Sequence, residues 1–227
     1  ASEGEQAVRL GTIAPAAGFT IPKTAAVIDL KGKWVIPGLI DADGSVRRWA
    51  IPRYLAFGVT AVRDVGNDQD SILALAEEAS LHSLVSPRLY VTGASLDGAT
   101  PFDPTSEAVT TESAARRAAD DRIQGGVSFV SVGPGFTAAL LRGVIDEAGS
   151  LNTSVTARLG LTDARTAAKL GTRSELELSG VPQAVIDPDP FYAAFRRSPW
   201  SGWTATERAW SGLDSAPLGA VATDLAN

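Results

Sequence analysis

The sequence predicts an α/β protein built on a parallel sheet, and three observations lead there. From about residue 34 onward, short β-branched runs alternate with longer amphipathic stretches. Those stretches carry helix-start and helix-stop residues, and they are long enough to serve as crossovers between parallel strands. With 227 residues, 44% of them hydrophobic, the chain can bury a core of ordinary size.

Taken in order, residues 1–33 read as strands and turns of a small β subdomain, through "AVRLGTIAP" and "AAVIDLKGKW". The core runs follow at Val35–Ile40, Val59–Val65, Arg88–Thr92, Val127–Val132, Ser154–Arg158 and Arg173–Leu178. Between them Ser71–Leu84, Ser113–Gly125, Ala138–Leu151 and Asp163–Gly171 read as helices. In the third, Leu140, Leu141, Val144, Ile145 and Ala148 share one face. In the second, Arg116 with Asp120 and Arg117 with Asp121 have i,i+4 spacing. Thr162-Asp163 marks a capped start and Gly171 a left-handed stop. The region 34–181 is thus a series of βα units. Residues 182–227 change character. Asp187-Pro188-Asp189-Pro190 reads as a loop, followed by Phe191, Tyr192, Phe195, Trp200, Trp203 and Trp210 and a helical end; Trp at this density points to packing on the core or on a partner.

Repeats of this kind suit an open doubly wound sheet or a closed (β/α)₈ barrel. About six units are visible, whereas a barrel takes eight strands and about 250 residues. The count does not choose between them.

Composition excludes several functions. A formal charge of −6 without a basic stripe argues against nucleic-acid binding. No apolar run reaches the roughly 18 residues of a membrane helix, and the Ala1-Ser2-Glu3-Gly4 start lacks signal-peptide character, so the chain reads as soluble, cytoplasmic or exported. Without Cys there is no disulfide, thiolate metal site or cysteine nucleophile. His82, the single histidine, lies at the polar end of a helical stretch and reads as a solvated helix-end residue. One imidazole leaves little capacity for zinc ligation or general-base work.

At "VIDLKGKWVIPGLIDADGSV" and "LAFGVTAVRDVGN" the chain resembles the metal-dependent amidohydrolase superfamily, in particular its imidazolonepropionase-like and prolidase-like members. "SPRLYVTGASL", "GGVSFVSVGPG", "LLRGVIDEAGSLNTSVTARLG" and "GTRSELELSGV" extend the resemblance over about residues 20 to 183. It implies a β-sandwich subdomain joined to a distorted (β/α)₈ barrel, with one or two metal ions at the C-terminal ends of the strands. The fold expected here is therefore a partial or distorted TIM-type barrel with a small N-terminal β-sandwich-like subdomain.

Carried over residue by residue, the implied metal ligands are replaced. The family's His-x-His after "GLID" becomes Asp43 and Ser45, and its strand-four lysine becomes Ser131. The strand-five His becomes Arg158 and the strand-six His becomes Glu177, while the common "IDEAH" ends in Gly149. The Asp ligand expected after strand seven falls beyond the recognisable stretch. Losing His, His, Lys, His and His together removes the nitrogen ligands zinc prefers, so the expectation is no metal and no other cofactor. Asp43 and Glu177 could hold a hard cation through oxygen, but Arg158 in the same mouth would repel it. Its guanidinium could instead stand where the metal stood and pair with both carboxylates.

Other motifs are weaker. Gly133-Pro134-Gly135 follows a strand and precedes a helix, where phosphate-cradling loops occur, but a tight βα turn accounts for it better. Ser45 and Ser131 have no histidine to activate them. Asp64 and Arg63 in "VRDVG" read as framework. The leading expectation is a degenerate amidohydrolase-like protein working in binding or assembly, as a homo-oligomer or with a companion subunit completing the barrel, with a small-molecule ligand as a further option. The alternative is a hydrolase of C–N bonds whose missing ligands come from another chain, or which works without metal.

Overall fold

A computed structural model of the chain describes residues 23–26, 28 and 31–226. The chain divides into two compact units, Ala1–Pro37 and Gly38–Asn227. Among its described residues the first unit has turns at 23–24 and 31–32 and no strand; most of the small β subdomain expected over 1–33 lies outside the described residues.

The second unit is α/β with parallel sheets. Its first three strands are β1 (Leu39–Gly44), β2 (Val59–Asp64) and β3 (Arg88–Val91), all parallel and in sequence order. The other sheet runs β5-β4-β6-β7-β8, from β4 (Leu96–Asp97), β5 (Glu107–Ala108), β6 (Val130–Val132), β7 (Val155–Ala157) and β8 (Ser174–Glu175). The two sheets run into one another. Ser128 donates its amide to Val91 O at 2.7 Å, and Leu96 then pairs with Val132, so β3 and β4 lie successively beside the same stretch of chain.

Strand one begins later than its apolar run suggests. Val35 and Ile36 precede it, and pairing carries it instead into the polar Asp41–Gly44, with Leu39 opposite Val59 and Gly44 opposite Asp64. Backbone pairing with β2, rather than apolarity, decides its extent. Gly38 sits directly against the Thr60 side chain, where no Cβ fits.

The helices α1 (Ile51–Ala56), α2 (Gln69–Ser80), α3 (Glu112–Gln124), α4 (Ala138–Ser150) and α5 (Ala164–Leu170) connect these strands. Asp68, Thr111, Thr137 and Asp163 accept the orphan amides of Ser71, Ala114, Leu140 and Thr166, and Gly171 closes α5 at φ +103°. Arg116 turns away from Asp120; it bonds Glu112 at 3.1 Å and, across to α4, Asp146 at 2.8 Å.

Two apolar clusters hold the layers together. Val62, Val91, Ile72, Leu75 and Ile51 pack β2 and β3 under α1 and α2. Leu96, Val130, Val132, Val155 and Ala157 pack the second sheet against Ala115, Leu141, Val144 and Ala164. Each fully buried Leu, Ile or Val contributes roughly 1.5–3 kcal/mol.

After β8 the chain forms α6 (Val181–Val185), α7 (Asp189–Arg197), α8 (Pro199–Ala209) and α9 (Ser215–Leu225). The Phe195 ring fills the space beside Gly202 and Gly160, clamping α7 to α8 and to the loop after β7. Helix α9 packs on α5 and α6, with Val221 buried and Arg165 bonded to Asp224 at 2.6 Å. Trp210 joins the core from its edge. No helix among the described residues is long and apolar enough to cross a membrane.

Candidate functional site

Parallel strands bring their C-terminal ends to one edge, so residues far apart in sequence meet there. Arg158 follows β7 and Glu177 follows β8, and these strands are neighbours. The guanidinium meets the carboxylate edge to edge, with Nε on Oε2 at 2.8 Å and Nη2 on Oε1 at 3.1 Å. Its charge also lies 5.7 Å from the centre of the Phe102 ring and 5.9 Å from that of Trp203. Phe102 in turn touches Trp200, with centroids 4.5 Å apart.

Asp43 stays outside this pair. Its amide contacts Asp41, and no ion pair joins its carboxylate to Arg158, whose fork is taken up by Glu177. Partial burial pushes the Asp43 carboxyl up from its ordinary value; the Glu177 charge adds to this, while Arg158 and Arg63 oppose it.

The two serines behave differently. Ser131 is buried and shares a hydrogen bond with Ser95 at 2.9 Å, next to a cavity of about 20 Å³ that Asp97, Phe102 and Arg158 also line. That volume holds one water. Ser45 is exposed just beyond β1. Neither hydroxyl has a basic partner, so neither is an activated nucleophile.

Arg63 and Asp64 do not pair with each other, because adjacent strand residues point to opposite faces. Arg63 reaches Ala42 O at 2.6 Å and the Ser174 hydroxyl at 3.0 Å, tying β2 to β8. Asp64 turns to the helix side, accepts the Val46 amide at 2.5 Å and the Asn67 amide at 3.2 Å, and is fully buried. His82 lies exposed just after α2, at φ +56°. Gly149 has open space around its α-carbon.

Two carboxylates escaped the sequence reading. Asp97, 1% exposed, accepts the amides of Gly98, Phe102 and Gly135, each at 2.7 Å. The Gly133-Pro134-Gly135 turn therefore cradles a protein carboxylate where a phosphate could have sat. Burial nonetheless pushes the Asp97 carboxyl up, against the pull of those three amides and Arg158. The only sequence signal was an isolated Asp-Gly in "SLDGATP". Glu175 on β8 is half-buried and pushed up to about 7, by burial first and by the charge of Asp163 second. Nothing in "SELELSG" distinguishes it from Glu177.

No family model and no curated protein matches the sequence. Solved structures do match. A bottromycin amidohydrolase shares 22% identity at a TM-score of 0.61, over 76% of this chain and 37% of its own. An amidohydrolase at 21% identity has a TM-score of 0.61, over 70% of this chain and 52% of its own. A structure described as a candidate prolidase from Bifidobacterium longum, at 17% identity, has a TM-score of 0.64 over 95% of this chain and 60% of its own. The fold is that of the amidohydrolases. This chain spans about one third to three fifths of the length of these structures.

An amidohydrolase fold implies metal ions at the strand ends, and the residues present there do not fit them. Among the described residues, no three His, Cys, Asp or Glu side chains form a group that could hold a metal ion. The fixed positive charge of Arg158 occupies the strand end beside Glu177, which is already its partner. What the arrangement does offer is a cation held beside two touching aromatic rings and closed by one carboxylate.

Proposed function

We propose that this chain is an amidohydrolase-like protein without a competent metal site, whose six consecutive βα units form part of a barrel with a binding mouth in place of a catalytic one. The observation that carries this reading is the bidentate Arg158–Glu177 pair, formed at the two strand ends where the sequence resemblance expects histidine ligands. An arginine keeps its charge at any working pH, so it substitutes for a metal electrostatically while offering no open coordination position. Elemental mass spectrometry on protein purified without chelator tests this. Metal well below stoichiometric levels supports the reading. Stoichiometric zinc or manganese, with amide hydrolysis abolished by Asp43→Asn or Glu177→Gln, would overturn it in favour of a C–N hydrolase.

An assembly role accompanies the binding role. Strand β1 is a six-residue edge whose outer side carries no strand partner among the described residues, and Leu39 and Ile40 on it are exposed. The opposite edge, β8, has only two residues, too short to template another chain. A single unpaired edge, apolar at Leu39 and Ile40, can pair with its own copy about a two-fold axis, so the occupant we assign is a second copy of this chain. Sedimentation of the purified protein should give a dimer that Ile40→Lys dissociates. A well-folded monomer would remove the assembly role.

A further inference from the structure

The mouth contains a cation whose support and whose partner are built very differently. Phe102, from the loop between β4 and β5, and Trp203, from α8, hold the Arg158 guanidinium against their rings, and neither depends on Glu177. The Arg158 side chain is 24% exposed and Glu177 41%. Glu177 reaches the fork from a costly backbone: it has φ +57° and Leu178 after it φ +52°. Non-glycine residues are strained in this region. Asp43 adds a like charge beside it. The receptor is thus pre-organised, while its internal occupant is strained and repelled.

We infer that the Arg158 fork is a binding site for a small organic monocarboxylate, which enters by displacing Glu177. A carboxylate takes over the two donors that Glu177 holds, Nε and Nη2, in the same planar geometry. The rim selects an apolar body for that ligand, because Trp200, which touches Phe102, and Leu178, next in sequence to Glu177, are each 63% exposed. Asp41, Asp43 and the displaced Glu177 disfavour a doubly charged anion such as phosphate. The ligand lies on the rim rather than in the small cavity that Arg158 helps to line, which has room only for one water. This rests on the mouth being a binding rather than a metal site, and it deepens that reading by naming the ligand class.

Benzoate is the probe, with benzylamine as its cationic counterpart, followed by calorimetry and by Trp emission. Glu177→Gly removes the occupant and suits the positive φ at that position. It should bind benzoate at least tenfold more tightly than the native chain. Arg158→Lys, which keeps charge and bulk but loses the fork, should weaken binding to that variant about tenfold, and Arg158→Met should abolish it; near-UV circular dichroism establishes that each is folded. Unchanged benzoate affinity in Glu177→Gly overturns the inference, as does binding that survives Arg158→Met or equal binding of benzylamine. Metal analysis of the same preparations separates the two failures: metal sinks the functional reading itself, whereas metal-free protein indifferent to benzoate sinks only the carboxylate site.

Discussion

Arg158 and Glu177, 19 residues apart, share two hydrogen bonds of 2.8 and 3.1 Å because β7 and β8 are parallel neighbours that end at the same level. One guanidinium edge is spent on one carboxylate, and Asp43 stays outside the pair, beside the like charges of Glu177 and Asp41.

Arg158→Met should cost about 1–2 kcal/mol in urea melts, short of the 3–5 kcal/mol of a fully buried pair, because both partners keep solvent contact. Part of that loss is the cation–π contact with Phe102 and Trp203, so Arg158→Lys should recover less than half of it. Native-like stability in both variants would mean that the pair contributes nothing to the fold.

Glu175 should make stability fall as pH rises. Its folded value is raised, so the folded protein holds this proton more tightly than the unfolded chain, and the associated stability is complete below about 4.5 and lost by about 7. Full burial would make this about 3 kcal/mol, and solvent around the half-buried carboxyl reduces it to roughly 1–2 kcal/mol. Glu175→Gln should therefore match the native chain at pH 4 and exceed it by that amount at pH 8. Parallel stability curves for the two proteins across this range would refute the assignment.

Asp97→Asn should destabilise by about 2–3 kcal/mol, since one amide oxygen cannot serve three buried donors that now also face an NH₂ group. Phe102 is one of those donors and packs in tilted contact with Trp200 and Trp203, so the same change should shift Trp emission to the red. Emission identical to native would show that Asp97 does not position the aromatic rim.

How much of this was legible in the sequence depends on how local the signal was. Thr162-Asp163 announces a helix start, and the structure uses Asp163 as the cap of α5; Thr111 and Thr137, which the sequence reading did not single out, cap α3 and α4 in the same way. The short strands β4 and β5 carry no such signal, having two residues each. Nor does strand β1, whose polar half is strand only because β2 lies beside it. In the site, a resemblance at single positions brought Arg158 and Glu177 to one mouth. It could not rank Asp43 against Glu177 as the arginine's partner, since that depends on which side chain meets the fork's edge.

The sequence by itself determined the alternation of strands and helices, their parallel arrangement and the residues that stand at the strand ends, because periodicity and capping act over three or four residues. The tertiary structure alone decided that Phe102 and Trp203, 101 positions apart, meet over Arg158, that Asp97 fills the cradle of Gly135, and that Glu177 reaches its partner from a left-handed turn. Those contacts are set by strand register and by the path of loops across the sheet edge, and neither is encoded within any one segment of the chain.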